Sequence, residues 1–178
     1  MKILVLNAGS SSQKSCLYDI EPPLSEQPPD PLWEAHIDWL VHEHSVQLSE
    51  QISARIEIQT SSGKQQTETR ASSSRKETLS YLLSRLYKGD TQVISGLGDI
   101  DAVGHRVVHG GQDYQASVIV NAEVKATIHR LSAIAPSHNP ANLEGIELME
   151  QLLGDVPQVA VFDTAFHSHM PQVAAIYP

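Results

Sequence analysis

Four consecutive apolar residues, Ile3 to Leu6, break at Asn7-Ala8-Gly9, pass through three serines and resume after Lys14 as an apolar-rich run from Ser15 to Ile20. Runs this short, bounded by turn residues, predict a buried strand and its hairpin partner rather than a helix. Glu21 to Pro31 holds five prolines, whose fixed φ and missing N–H exclude it from a helix interior or central strand and make it a surface excursion. From Leu32 the chain is β-like, most clearly in the polar–apolar alternation of Ala54 to Gln59, and Gly63 predicts the turn that sends it back through a polar stretch to Arg70. The period then lengthens. Ser74 and Glu77 stand at capping-box spacing before Leu79, Leu82, Leu83 and Leu86, one apolar helical face stopped before Gly89. Asp101 to Gly111 reads as a strand running into a tight double-glycine turn, and Asn121 as the cap of a helix running to about Ile134. A third helix has Pro140 at its first position behind an Asn139 cap, an apolar face of Leu143, Ile146, Met149, Leu152 and Leu153, and Gly154 as its stop. Gln158 to Asp163 closes the series as a buried strand. Antiparallel strands first, then helices and strands in alternation, predict an α/β domain with a mixed central sheet covered by helices.

Composition narrows what such a domain binds. A chain of 178 residues supports one domain with a proper core. Its 12 Lys+Arg against 21 Asp+Glu give a formal charge of -9, which argues against a general nucleic-acid or membrane-surface binder, so any anionic ligand must be held locally. Cys16 is the single cysteine; no intramolecular disulfide can form, which fits a reducing, cytoplasmic setting. The start lacks a signal-peptide pattern and no stretch approaches the length of a membrane span. After Asp163, "MPQVAAIYP" completes neither helix nor strand, so the chain is expected to continue beyond Pro178.

Four places could carry chemistry. The opening turn offers the Asn7 amide, the Ser10, Ser11 and Ser12 hydroxyls, backbone N–H groups near Gly9 and the Lys14 cation, an inventory suited to a polyphosphate; a plain soluble hairpin is the alternative. It is not a Walker A loop, because GxxxxGK[ST] is absent. Arg106, flanked by Val107 and Val108 that are expected to bury its stem, could grip a carboxylate or phosphate through two parallel hydrogen bonds, or form a structural carboxylate pair. His138 precedes the helix that starts at Pro140, where unpaired N–H groups favour an anion; the alternative, which this clue alone favours, is a loop or capping partner. Asp163 ends a strand where open α/β sheets place ligands, with a metal or a proton as its partner, or caps the next turn. The histidine pairs in "HEH" and "HSH" lack companions at zinc-site spacing and are expected at the surface. The missing G-x-S-x-G elbow argues against a serine hydrolase.

"LNAGSSSQK", "GHRVVHGG", "APSHNPANLEGI" and "PQVAVFDTAFHSHMP", in this order and spacing, resemble the acetate kinase family over most of the chain. About Glu21 to Thr91 resembles nothing in particular. The resemblance implies an actin-like (ribonuclease H-like) ATPase domain over 1–165, with a variable region at 21–91 and a connection to a second domain starting at 166–178. It also implies reversible, Mg2+-dependent phosphoryl transfer from ATP to acetate, giving acetyl phosphate and ADP, in a homodimeric cytoplasmic enzyme. On matching positions, Asn7 would assist the metal and Lys14, with Ser10, Ser11 and Ser12, the ATP phosphates. Arg106 would hold the carboxylate of acetate or the phosphoryl group in flight, Val108 would contact the substrate, His138 would lie near the phosphoryl group in transfer, and Asp163 would be the residue the family describes as proton donor or acceptor.

Two departures qualify the likeness. Ser137 stands where the family usually has leucine; a hydroxyl there weakens enclosure of a methyl group and leaves propionate or butyrate open as acyl substrates. The family's second signature, R-x-G-x-H-G-x-x-H, would follow Pro178. A domain without that half is expected to turn over slowly, or to persist only as a phosphate-binding module.

Overall fold

The computed structural model describes residues 1–24, 26–27, 29–40 and 52–175. Strands β1 (Lys2–Ala8) and β2 (Ser12–Asp19) form the expected antiparallel hairpin, pairing from Lys2 with Asp19 to Ala8 with Gln13. Both reach further toward the turn than their apolar residues indicate, leaving Gly9 to Ser11 as the connection. Strands β3 (Trp33–Leu40), β4 (Ile52–Thr60) and β5 (Gln65–Ser72) extend an antiparallel meander. Gly63, at φ +82°, makes the β4–β5 turn in the left-handed region that favours glycine. On the other side of β1 lie β6 (Ala102–Val107), parallel to it, then β8 (Gln158–Phe162), parallel to β6, with the two-residue β7 (Val118–Ile119) at the edge. The order is β5-β4-β3-β2-β1-β6-β8-β7.

Helix α1 (Arg75–Ser84) is capped by Ser74, whose hydroxyl accepts from the Glu77 amide at 3.1 Å. The return half of the capping box lands one residue early: the Glu77 carboxylate accepts from the Ser73 amide and hydroxyl, each at 2.8 Å. The helix ends at Ser84 rather than near Gly89, yet Leu86 remains buried. Helix α2 (Ala122–Leu131) starts at the expected Asn121 cap and ends three residues before Ile134. Helix α3 (Asn139–Leu153) stops at Gly154 as expected, but its cap is His138, and Asn139 turns its amide elsewhere. A short α4 (Gln172–Ala175) forms in the final segment, where no element was expected. Of the histidine pairs, His169 is exposed and "HEH" lies outside the described residues.

Strand alternation divides the sheet into unlike faces. Leu4, Leu6, Leu17, Trp33, Ala35, Ile37, Ile56, Val103 and Ala160 share one face and are at most 1% exposed. Their apolar partners are Leu79, Leu82 and Leu83 of α1, Leu148 and Met149 of α3, and Val124 and Ile128 of α2. Helices α1, α2 and α3 therefore cover a single face, and the opposite face carries the polar half of β3 and β4.

His105 lies on the covered face, 2% exposed, with Nε2 2.6 Å from Gln158 Oε1. Burial pushes its pKa down from 6.5 to about 4, partly offset by the Gln158 bond. Between those values the unfolded chain binds the additional proton, so stability falls as pH drops from about 6.5 toward 4. The full effect is about 3 kcal/mol. Urea titrations at pH 7 and pH 4 are expected to show His105→Gln losing less stability over that range than wild type, by about this amount; an equal loss refutes the assignment.

Candidate functional site

The register of three neighbouring strands sets the site. Asn7 on β1 pairs with Lys14 on β2 and with Arg106 on β6, so these residues stand side by side in one row across the sheet, with strands about 4.8 Å apart. All three point to the face opposite the one that α1, α2 and α3 cover. Arg106 also pairs with Val161 of β8, and Asp163 lies two residues on, hence on the same face. The row sits at the carboxyl ends of parallel β1, β6 and β8, where open α/β sheets bind ligands.

Arg106 is the hub. Its Nε donates to Asp163 Oδ1 and Oδ2 at 2.9 and 3.0 Å, Nη2 to Oδ2 at 2.6 Å, and Nη1 to Asn7 Oδ1 at 2.9 Å. The Asp163 hydrogen bond raises the guanidinium pKa above its ordinary value. The flanking valines do not bury the arginine stem: Val107 falls on the opposite face under the helices, as a period of two requires, and Val108 lies past the strand end. Arg106 is 47% exposed and owes its orientation to polar partners. Asp163 opens a 3-10 turn without capping it, its carboxylate being turned to Arg106.

Lys14 shares the row but not the cluster. Its Nζ lies 2.8 Å from Glu34 Oε1, and that carboxylate raises the lysine pKa. The turn beside it is tight: Gly9 N donates to Ser12 O at 2.8 Å, and a Cβ on Gly9 would come within 2.9 Å of that oxygen, so glycine is required. Arg75 Nη2 donates to Ser10 O at 2.5 Å, and Trp39 N to Ser11 O at 3.0 Å. Ser10 and Ser11 are exposed and Ser12 half-buried. His138 and Ser137 are exposed at the start of α3. Their link to the row is indirect, through Asn139, whose Oδ1 accepts from the His109 amide at 3.2 Å.

Sequence reasoning missed Glu34, Asn139 in its actual role, Asn142 and Thr164, which accepts from the Gly110 amide at 3.0 Å. A signal existed for the asparagines. Asn139, Asn142, Ile146 and Met149 form one buried stripe along α3, and an amide on a core stripe needs a partner.

The sequence profile of the Acetokinase family matches residues 2–178. The chain is 59% identical over its whole length to the acetate kinase of Cyanothece sp. (strain PCC 7425 / ATCC 29141) and covers 42% of that protein. The crystal structure of Porphyromonas gingivalis acetate kinase matches with a TM-score of 0.81 at 33% identity, over 99% of this chain and 40% of that one. A propionate kinase from Francisella tularensis subsp. tularensis SCHU S4 gives 0.73 at 35% identity, over 97% and 39%. The chain thus spans about two-fifths of the length of the curated relatives it matches, and the mixed sheet is the one expected of an actin-like domain.

Because both ion pairs are about half exposed, they contribute little to folding. Lys14→Ala and Asp163→Asn are each expected to change unfolding free energy by under about 1 kcal/mol in urea titrations; losses of several kcal/mol from either would mark it as structural.

Proposed function

Because the chain belongs to the acetokinase family, we propose that its protein catalyses reversible phosphoryl transfer between ATP and acetate, giving acetyl phosphate and ADP. The Lys14–Asn7–Arg106 row, with Asp163 closing it, carries this reading. Phosphoryl transfer demands alignment of donor and acceptor and cationic groups around the equatorial oxygens. The row supplies two cations, Lys14 toward the ATP phosphates beside Ser10, Ser11 and Ser12, and Arg106 toward the acyl carboxylate or the phosphoryl group. Val108 offers the acyl group an apolar contact, and His138 a further donor.

Acetate is already ionised at neutral pH, so no base is needed to make it a nucleophile. Asp163 therefore acts through position: it orients Arg106 and, with Asn7, presents hard oxygen donors. One carboxylate and one amide oxygen suit Mg2+, which usually completes its octahedron with phosphate oxygens and water. When bound, Mg2+ neutralises phosphate charge.

Residues 1–165 are proposed as one domain and 166–178 as the lead into a second that closes the cleft, in a homodimeric cytoplasmic enzyme. Among the described residues no helix is long and apolar enough to cross a membrane. The propionate kinase likeness and the exposed Ser137 favour a second reading, in which longer acyl groups are accepted.

In the whole protein, Arg106→Ala is expected to lower kcat/KM for acetate by about three orders of magnitude, and Arg106→Lys to recover little of it, because an ammonium cannot make the paired bonds. Near wild-type turnover in Arg106→Ala would overturn the reading. Ser137→Leu is expected to shift the acetate-to-propionate ratio of kcat/KM by about tenfold, the worth of a methylene-sized contact; an unchanged ratio would remove Ser137 from the acyl wall.

A further inference from the structure

The pairing of β1 with β6 ends at the Asn7–Arg106 row. One step further, the Ala8 carbonyl and the Val108 amide are bridged by a side chain. Asn142 Oδ1 accepts from Val108 N at 3.2 Å and its Nδ2 donates to Ala8 O at 2.6 Å. One helical turn earlier, Asn139 Oδ1 accepts from His109 N at 3.2 Å, while its Nδ2 donates to His109 O at 3.1 Å and to Ile128 O at 3.3 Å. Both asparagines are buried, at 0% and 2% exposure. A buried amide left unpaired is costly, and here donor and acceptor of each find backbone partners. The first turn of α3 thus serves as a surrogate strand for the ends of β1 and β6.

Resting on the phosphoryl-transfer reading above, we propose that Asn139 and Asn142 are positioning residues of the site. They fix Asn7, Arg106 and His138 as one unit. Ala8 follows Asn7, Val108 and His109 lie just past Arg106, and Asn139 follows His138, so four side-chain-to-backbone bonds join the three segments, and a fifth ties Asn139 to Ile128 of α2. The bridge also holds the strand ends apart immediately beyond the row, keeping the carboxyl edge of the sheet free of direct β1–β6 pairing. Each asparagine spends its amide on backbone groups and acts through the backbone it holds.

The test uses the whole protein. Asn142→Ala is expected to lower kcat about a hundredfold, the loss that follows from a misplacement of about 1 Å, with KM for ATP within about threefold, because Lys14 is held from β2 and β3. Combined with Arg106→Lys, the loss is expected to be strongly less than additive; a merely structural role gives additive losses. Asn142→Asp keeps the acceptor for Val108 but sets an oxygen against the Ala8 carbonyl, and at least a tenfold fall in kcat is expected. A folded Asn142→Ala with wild-type kcat, or additive losses, overturns the proposal while an inactive Arg106→Ala leaves the functional reading standing. Full activity in Arg106→Ala overturns both. If neither Asn142 variant folds, amide exchange in the wild type decides: Val108 and His109 are expected to be protected like β6, and exchange at loop rates overturns the proposal.

Discussion

The two-residue pleat of β1 commits Leu4, Leu6 and Ala8 to the helix-covered face and thereby leaves Asn7 on the open one. Register carries the same division into the neighbouring strands, setting Lys14 on one side of Asn7 and Arg106 on the other. A slip of one residue between β1 and β6 would turn Arg106 under α3 and bring buried Val103 and Val107 into solvent. A guanidinium desolvated without its partners costs several kcal/mol, as does exposing two fully buried valines. Core and site therefore specify the same register, and the site's alignment needs no separate device within the sheet.

Charge is arranged against the background of an acidic chain. Net charge of -9 disfavours anions in general, yet two cations are concentrated on the open face, each facing a carboxylate, Lys14 with Glu34 and Arg106 with Asp163. Pairing holds Arg106 on Asp163 within the cluster and draws Lys14 toward Glu34 on β3. On the proposed reading, a phosphate oxygen would exchange one anionic partner for another, in water-accessible positions where such pairs contribute roughly 1 kcal/mol or less.

Much of this was legible in the sequence, and the gaps have physical causes. The opening hairpin, the β4–β5 turn at Gly63 and the three long helices follow from local periodicity and turn chemistry. That every long helix packs on one face did not follow, because a period of two shows that a strand has two faces without showing which one a distant helix meets. The burial of Arg106 between valines failed for the same reason: sequence neighbours in a strand point opposite ways. Local sequence offers Asn139 as a cap, asparagine before proline being a good one, but tertiary partners on His109 and Ile128 outcompete that role. Glu34 lies twenty residues from Lys14 across a proline-rich excursion, and only the β2–β3 register brings them together. The two residues of β7 are too few to show any period. In the site, strand register brings Asn7, Arg106 and Asp163 into one hydrogen-bonded cluster, whereas Lys14 is held by Glu34 and His138 is linked to the cluster only through Asn139, partners that no motif names.

The Arg106–Asp163 pair also constrains what either residue can do. Three of the four hydrogen bonds at the guanidinium end on one carboxylate, so Arg106 cannot grip a substrate carboxylate bidentately while keeping all of them. Its fork geometry allows a partial exchange: Nη1, now on Asn7, can turn to a ligand oxygen while Nε and Nη2 stay anchored on Asp163. Anchoring of this kind reduces the side-chain freedom lost on binding, which for a long flexible cation is about 0.5–1.5 kcal/mol. Asp163 is thereby a hydrogen-bonded, fixed counter-charge that aims a cation, in an arrangement that the register of β1, β6 and β8 produces.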